Sequence, residues 1–376
     1  MPKPISKYFD NNASTPLLPE VKKAIRTHLD TFGNASSLHR IGQTARERIE
    51  ESRSIIAQKI GTIPNKILFT SSATEANNQV LKSILEAPFR TKEPCHILYS
   101  AIEHSSIRST VHWLCERGIE CDEIPVDTTG LVKLSELETL IKPHTKLVSV
   151  LLASNEVGTI QNIEAIQKIT TKYNINLHVD AVQALGKIAV SVKNIKADYI
   201  SLSAHKIYGP KGIAALYVKN EDTISALLHG GGHERRLRAG TENTLGILGF
   251  KAACEAIDIS SYQAKITSLR NLLLEELKTI SEAVIHTPLN NSLCNTLNVG
   301  FEGVDGHHLA MSLDLAGYCV STGSACSSGS IDPSPVLAAM GIPLELNKSS
   351  IRISLGLYNT EESIHGLIKE IKATLH

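Results

Sequence analysis

"ADYISLSAHKIYGPKGIAALYV", residues 197–218, is the stretch on which the reading of the fold turns. A strand-like run rich in Ile and Leu ends in Ser203, and His205, Lys206 and the turn pair Gly209-Pro210 follow at once. A strand that delivers a lysine at its carboxyl end suits an open α/β sheet, in which ligands gather along that edge. A lysine there can condense with a carbonyl cofactor. Taken alone, Lys206 reads as an ordinary solvated loop lysine.

The neighbouring sequence repeats the same rhythm. From about Lys66, "KILFT" leads into "SATEANNQVLKSIL", "HILYS" into "SSIRSTVHWLCERG", and "TKLVSVLLA" into "IEAIQKITTKY", after which comes "INLHVDA". Short β-branched runs alternating with amphipathic helical windows predict a mainly parallel, doubly wound sheet with helices on both faces. The pattern changes after about Phe250. There "YQAKITSLRNLLLEELKTI" reads as a long amphipathic helix, followed by strand-like "NTLNVGF", helical "DGHHLAMSLDLAG", strand-like "YCVST" and "SSIRISLG", and a last helix, "TEESIHGLIKEIKATL". The expectation is a large α/β domain over 15–255, a smaller α+β domain over 256–376, and an N-terminal segment, 1–14, packed with the smaller one. A cleft is expected between the two domains.

Composition bounds the function. The 376 residues are 42% apolar and 20% charged, as in an ordinary soluble protein. Lys plus Arg balance Asp plus Glu at 38 each, so no overall field favours nucleic acid or an anionic membrane. "MPKPISKYFDNN" lacks the apolar core of a secretion signal, and no run approaches the roughly 20 apolar residues of a membrane span, so a cytoplasmic location is expected. The seven cysteines (95, 115, 121, 254, 294, 319 and 326) are odd in number and include no Cys-x-x-Cys pair, which disfavours a disulfide framework or a zinc site. Most are expected to be inert core residues.

Other strand ends carry chemistry too. Asp180 closes the apolar run of "INLHVDAVQALGK", with Gln183 just beyond. A carboxylate buried there is costly unless paired, and a pyridinium nitrogen is one such partner; capping of the next segment is the plainer alternative. In "LFTSSATEANN", Ala73 and Thr74 would offer backbone amides and a hydroxyl to an anion at a helix start, although a Thr followed by Glu also begins ordinary helices. Lysine, acid and anion cradle together are what pyridoxal 5'-phosphate needs: an amine for its aldehyde, an acid to keep the ring nitrogen protonated, and a seat for the phosphate.

With those residues, the sequence resembles the class V aminotransferases, and among them the cysteine desulfurases of the NifS/IscS type. The resemblance runs nearly end to end through "YFDNNASTP", "NASSLHRIGQTARERIEESR", "FTSSATEANN", "EHSSI", "SNEVGTIQ", "HVDAVQALGK", "SAHKIYGPKG", "GGGHERRLRAGTEN", "STGSACSSGS" and "SSIRISLG". It implies a pyridoxal phosphate fold of type I with a seven-stranded large-domain sheet. It also implies that Lys206 carries the cofactor aldehyde, that Asp180 pairs with the ring nitrogen, and that Gln183 and Asn155 touch the ring's phenolic oxygen. His104 would stack on the ring, while Ala73, Thr74, Ser203 and His205 would hold the phosphate. Thr241 would reach the phosphate site of a neighbouring subunit, which implies a homodimer with shared active sites.

The same resemblance makes L-cysteine the substrate. Arg352 would clamp its carboxylate, with Asn155 beside it, because a guanidinium fork suits bidentate binding. Cys326, in "STGSACSSGSI" (321–331), would attack the substrate sulfur as a thiolate and carry it as a persulfide; a Gly- and Ser-rich loop supplies the travel to an acceptor. His104 would serve as an acid or base near the substrate thiol. An iron–sulfur scaffold or a tRNA-thiolation enzyme would receive the sulfur. A selenocysteine lyase, a class V aminotransferase that does not need Cys326, and an inactive sulfur carrier or scaffold are the competing readings. The pattern departs from the family's usual residues at Ala35, Ser106 and Asn162, none of which removes a group the chemistry needs. The sequence stops at His376, directly after the last helix, where IscS-like members continue with a scaffold-docking tail, so docking to a scaffold of that kind is left open.

Overall fold

The computed structural model describes residues 5–84, 93–322 and 332–375; Cys326 and most of its Gly- and Ser-rich stretch lie outside them. Seven strands form the larger sheet: β1 (Ile67–Thr70), β2 (His96–Ser100), β3 (Glu120–Ile124), β4 (Thr145–Leu151), β5 (Asn176–Asp180), β6 (Tyr199–Ser203) and β7 (Ala214–Val218). Their spatial order is β1-β7-β6-β5-β4-β2-β3. Only β7 runs against the rest, pairing antiparallel with both β1 and β6. The carboxyl ends of the other six strands therefore share one edge.

Burial explains which strands are legible. β1, β2, β6 and β7 are buried at every position, so they read as short, mostly apolar runs in which the few polar residues are small or hydrogen-bonded. β3 escapes such a reading because it lies at the sheet edge and is built from Glu-Cys-Asp-Glu-Ile, whose charged side chains stay partly in water. The helix Arg40–Lys59 is likewise masked by its many charges, yet it buries Ala45, Ile49, Ile56 and Ala57 on one face.

A second, antiparallel sheet follows, made of β8 (Ala283–Ile285), β9 (Thr296–Phe301), β10 (Ser321–Thr322) and β11 (Ser350–Ser354), in the order β10-β11-β9-β8. The helix Ile259–Leu277 bridges the two halves, burying Tyr262, Ile266, Leu269, Leu273 and Leu277 at three- and four-residue spacing. One apolar core runs through both sheets, from Val150 and Ile200 to Ile353 and Leu367. At about 1.5–3 kcal/mol for each fully buried Leu or Ile, this shared core holds the halves together.

The N-terminal segment lies along β11. Phe9 N–H donates to Cys319 O at 2.8 Å, and Ser354 N–H donates to Phe9 O at 2.7 Å. This pairing carries Asp10, Asn11 and Asn12 into the space between the sheets. Among the described residues, no helix is long and apolar enough to cross a membrane.

Candidate active site

A cavity of about 310 Å³ opens where the carboxyl edge of the large sheet meets β11. Its lining includes Ala73, Thr74, His104, Asn155, Asp180, Gln183, His205, Lys206 and Arg352, so nine expected positions converge on it. Ser203, the last residue of β6, is buried but does not line it. Thr241 is exposed and outside it, between the 3-10 turn His233–Arg236 and the helix Thr244–Ala256.

Lys206 stands in the 3-10 turn that follows β6, where the chain leaves the sheet edge. Its Nζ donates to the backbone carbonyls of Asn12, at 2.5 Å, and Ala13, at 2.9 Å. The amine is thus aimed by carbonyls of the N-terminal segment. Nearby His205 is pushed down to about 4, by burial first and then by the positive charge of Lys206.

Asp180, at the end of β5, is only 7% exposed. One oxygen accepts from Asn77 Nδ2 at 2.8 Å and the other from Val182 N–H at 3.0 Å. Among the described residues no Lys, Arg or His forms an ion pair with it. A buried carboxylate served only by neutral donors suits an added cation, such as a protonated ring nitrogen.

The helix Ala73–Ser83 opens on the same cavity. Ser72 caps it, its Oγ accepting from Glu75 N–H at 3.1 Å, while the amides of Ala73 and Thr74 belong to the first turn, whose N–H groups have no intrahelical acceptor. Such an end favours an anion. Arg238 Nε donates to Glu75 at 2.8 Å, so the one acid of this first turn is already neutralised. The amine, the lone acid and the anion cradle together fit pyridoxal 5'-phosphate.

Arg352 forms the opposite wall and is 2% exposed. It donates to Asp10 Oδ1 at 2.7 Å and to Asn155 O at 3.2 Å, while its Nε is buried with no partner among the described residues. Asp10 thereby orients the guanidinium toward the cavity.

Several residues that hold this arrangement went unassigned in the sequence, although each lies inside a quoted family segment. Asn12 is the most connected. Its Nδ2 donates to Asn155 O (3.0 Å) and Thr296 Oγ1 (2.8 Å), and its Oδ1 accepts from Asn295 (2.9 Å) and Lys187 (3.1 Å). Lys187 is fully buried and also donates to Gln183 Oε1 at 2.7 Å; burial first, then the charges of Lys206 and Arg352, push it down to about 7. Gln183 in turn donates Nε2 to Asn12 O at 2.9 Å, which turns the amide's N–H side away from Lys187. An apolar-run reading finds Asp180 but passes over Asn12 and Lys187, whose partners lie far away in the chain.

Asn162 replaces the family's usual proline with a cap: its Oδ1 accepts from Ala165 N–H at 3.1 Å and starts the helix Ile163–Lys172. Among the described residues no group of His, Cys, Asp and Glu could hold a metal ion.

The fold and this site define the class: the chain belongs to the class V aminotransferase family, whose pattern matches residues 7–367 and whose members are pyridoxal phosphate enzymes. Among particular relatives, it is 42% identical to cysteine desulfurase IscS of Dictyoglomus turgidum, over 95% of this chain and 91% of that one. A solved NifS-like protein is 39% identical, covers 98% of both chains and superposes with a TM-score of 0.92. SspA in complex with cysteine is 33% identical, over 94% of this chain and 99% of that one, with a TM-score of 0.82.

Proposed function

We propose that the chain is a cysteine desulfurase that converts L-cysteine to L-alanine and passes the sulfur to Cys326. The observation that carries this is the convergence of Lys206, Asp180 and Arg352 on one cavity. The relatives named cysteine desulfurase, and the cysteine complex of SspA, support it.

When bound, pyridoxal 5'-phosphate supplies an electron sink next to the substrate's Cα. Asp180 would keep the ring nitrogen protonated, and the first turn of Ala73–Ser83, with His205, would hold the phosphate. Arg352, steadied by Asp10, takes the substrate carboxylate and fixes which bond of Cα faces Lys206. Lys206 moves the proton between Cα and the solvent side of the cavity. Cys326 as thiolate takes the sulfur: its S–S bond forms as the substrate's C–S bond breaks, and the electron pair left on carbon is protonated to the methyl group of alanine. The sulfur is oxidised and the carbon reduced, so no outside oxidant is needed.

Thr241, exposed beyond the cavity, is suited to reach the phosphate site of a second copy, giving a homodimer with shared sites. The persulfide would then pass to a cytoplasmic acceptor, an iron–sulfur scaffold or a tRNA-thiolation enzyme. The division into 1–14, 15–255 and 256–376 belongs to the same proposal, its second boundary lying in the stretch between the two sheets.

Wild type and Cys326→Ser, each loaded with cofactor, are given L-cysteine and a dithiol reductant, and alanine and sulfide are measured. Equimolar alanine and sulfide from wild type, falling to background in the variant, are expected. Equal sulfide from both would sink the persulfide route.

A further inference from the structure

A hydrogen-bonded chain joins Asp180 to His104 through two residues to which no role has been given. Asn77 Nδ2 donates to Asp180 Oδ2 at 2.8 Å and to Ser106 Oγ at 2.9 Å. Ser106 Oγ lies 2.9 Å from His104 Nδ1, and Ser106 N–H donates to the same nitrogen at 3.1 Å. Asn77 and Ser106 are both buried.

The polarity of this chain follows from its ends. A carboxylate only accepts, so Asp180 requires the NH2 side of Asn77 to face it. The second hydrogen of that NH2 goes to Ser106 Oγ, which leaves the hydroxyl's own hydrogen for His104 Nδ1. That ring nitrogen therefore receives two donors, the hydroxyl and a backbone N–H. A proton on Nδ1 would break the backbone bond and force the hydroxyl, already accepting from Asn77, to turn round and accept a second time.

We propose that Ser106 holds His104 as the neutral imidazole with its proton on Nε2. His104 then offers the cavity an N–H, not a lone pair. With the desulfurase reading, on which this consequence rests, His104 donates a hydrogen bond to the substrate sulfur, and another group takes the thiol proton. His104 is a positioning and polarising residue for the sulfur, and Ser106 positions His104.

The charged and titratable groups that face His104 are Asp180 from the end of β5, Lys206 from the turn after β6, Arg352 from β11 and the adjacent buried Glu103. Burial, then Lys206 and Arg352, lower the affinity of the ring for a second proton, against the opposing pull of Asp180. That direction agrees with the hydrogen-bond geometry.

The test is ring ¹⁵N NMR of holoenzyme labelled at histidine, with the His104 signals identified by their loss in His104→Gln. In wild type near neutral pH, one N–H nitrogen, Nε2, and one lone-pair nitrogen, Nδ1, are expected. Ser106→Ala removes one donor and should raise the protonation midpoint of His104 by about 0.5–1 pH unit, a three- to tenfold rise in proton affinity. Ser106→Thr, which keeps the hydroxyl, should restore the midpoint. A wild-type ring that is doubly protonated, or protonated on Nδ1, overturns the proposal even if Ser106→Ala does not fold. An unmoved midpoint in folded Ser106→Ala overturns it as well. If wild type shows the Nε2–H form but makes no alanine from L-cysteine, the Ser106–His104 assignment stands and the desulfurase reading fails.

Discussion

Glu234 and Asp180 are both buried carboxylates within the large-sheet half, and they are satisfied in opposite ways. Glu234 receives both guanidinium nitrogens of Arg53, each at 2.7 Å, and Phe69 N–H at 2.8 Å. Asp180 receives one amide side chain and one backbone N–H, and no cation among the described residues. The first is electrically complete. It anchors a strained turn in which Glu234, Arg235 and Arg236 all have positive φ, of 44°, 56° and 68°. The second is kept incomplete, as a site for a positively charged guest requires. The difference separates a carboxylate that serves the fold from one that serves chemistry.

The sharpest way to break that contrast is Asp180→Asn. Alanine formation should fall about 10³-fold, because an amide cannot hold a ring-nitrogen proton. Denaturation of the apoprotein should change far less. Unfolding of Asp180→Asn by as much as an ion-pair loss would erase the distinction.

Arg53→Met should act in the reverse sense. Leaving Glu234 buried without its cation should cost about 3–5 kcal/mol in denaturant unfolding. The cofactor absorbance of the folded fraction should stay unchanged. A variant as stable as wild type would make the Arg53–Glu234 pair ornamental.

Lys187 supplies the smallest and most diagnostic effect, being the cationic counterpart of Asp180: a buried amine served, among the described residues, by amide oxygens alone. Its folded affinity for a proton is depressed to about 7, below the roughly 10.4 of an unfolded lysine. Between these values the unfolded chain binds more protons, so this group adds stability as pH rises and its cost is fully present below about 7. Replacing it by Met removes that slope. The stability of Lys187→Met relative to wild type should therefore decline from pH 7 to pH 9.5 in matched denaturant melts. A pH-independent difference would show that Lys187 is not a strained cation.

Sequence reading reached Lys206 and Asp180 because one follows directly on a strand and the other ends one, a local signal that a few residues carry. It reached Arg352 and His104 only through likeness to a family. It passed over Asn12, Asn77, Asp10 and Lys187, whose importance lies in partners distant in the chain. β3 and the helix Arg40–Lys59 were illegible for a different reason: charge on their exposed faces hides a modest buried stripe. Ser106 looked like a harmless departure in sequence and proves to be a link between two site residues.

Asn12 N–H donates to Ser354 Oγ at 2.9 Å across 342 residues. During synthesis the N-terminal segment therefore waits for almost the whole chain before it can settle, and the carbonyls that aim Lys206 wait with it. A nascent chain halted before β11 has the large sheet and the lysine but lacks the wall that Arg352 provides. The seat for the substrate's carboxylate therefore depends on β11, a strand made long after the lysine and the acid that it faces.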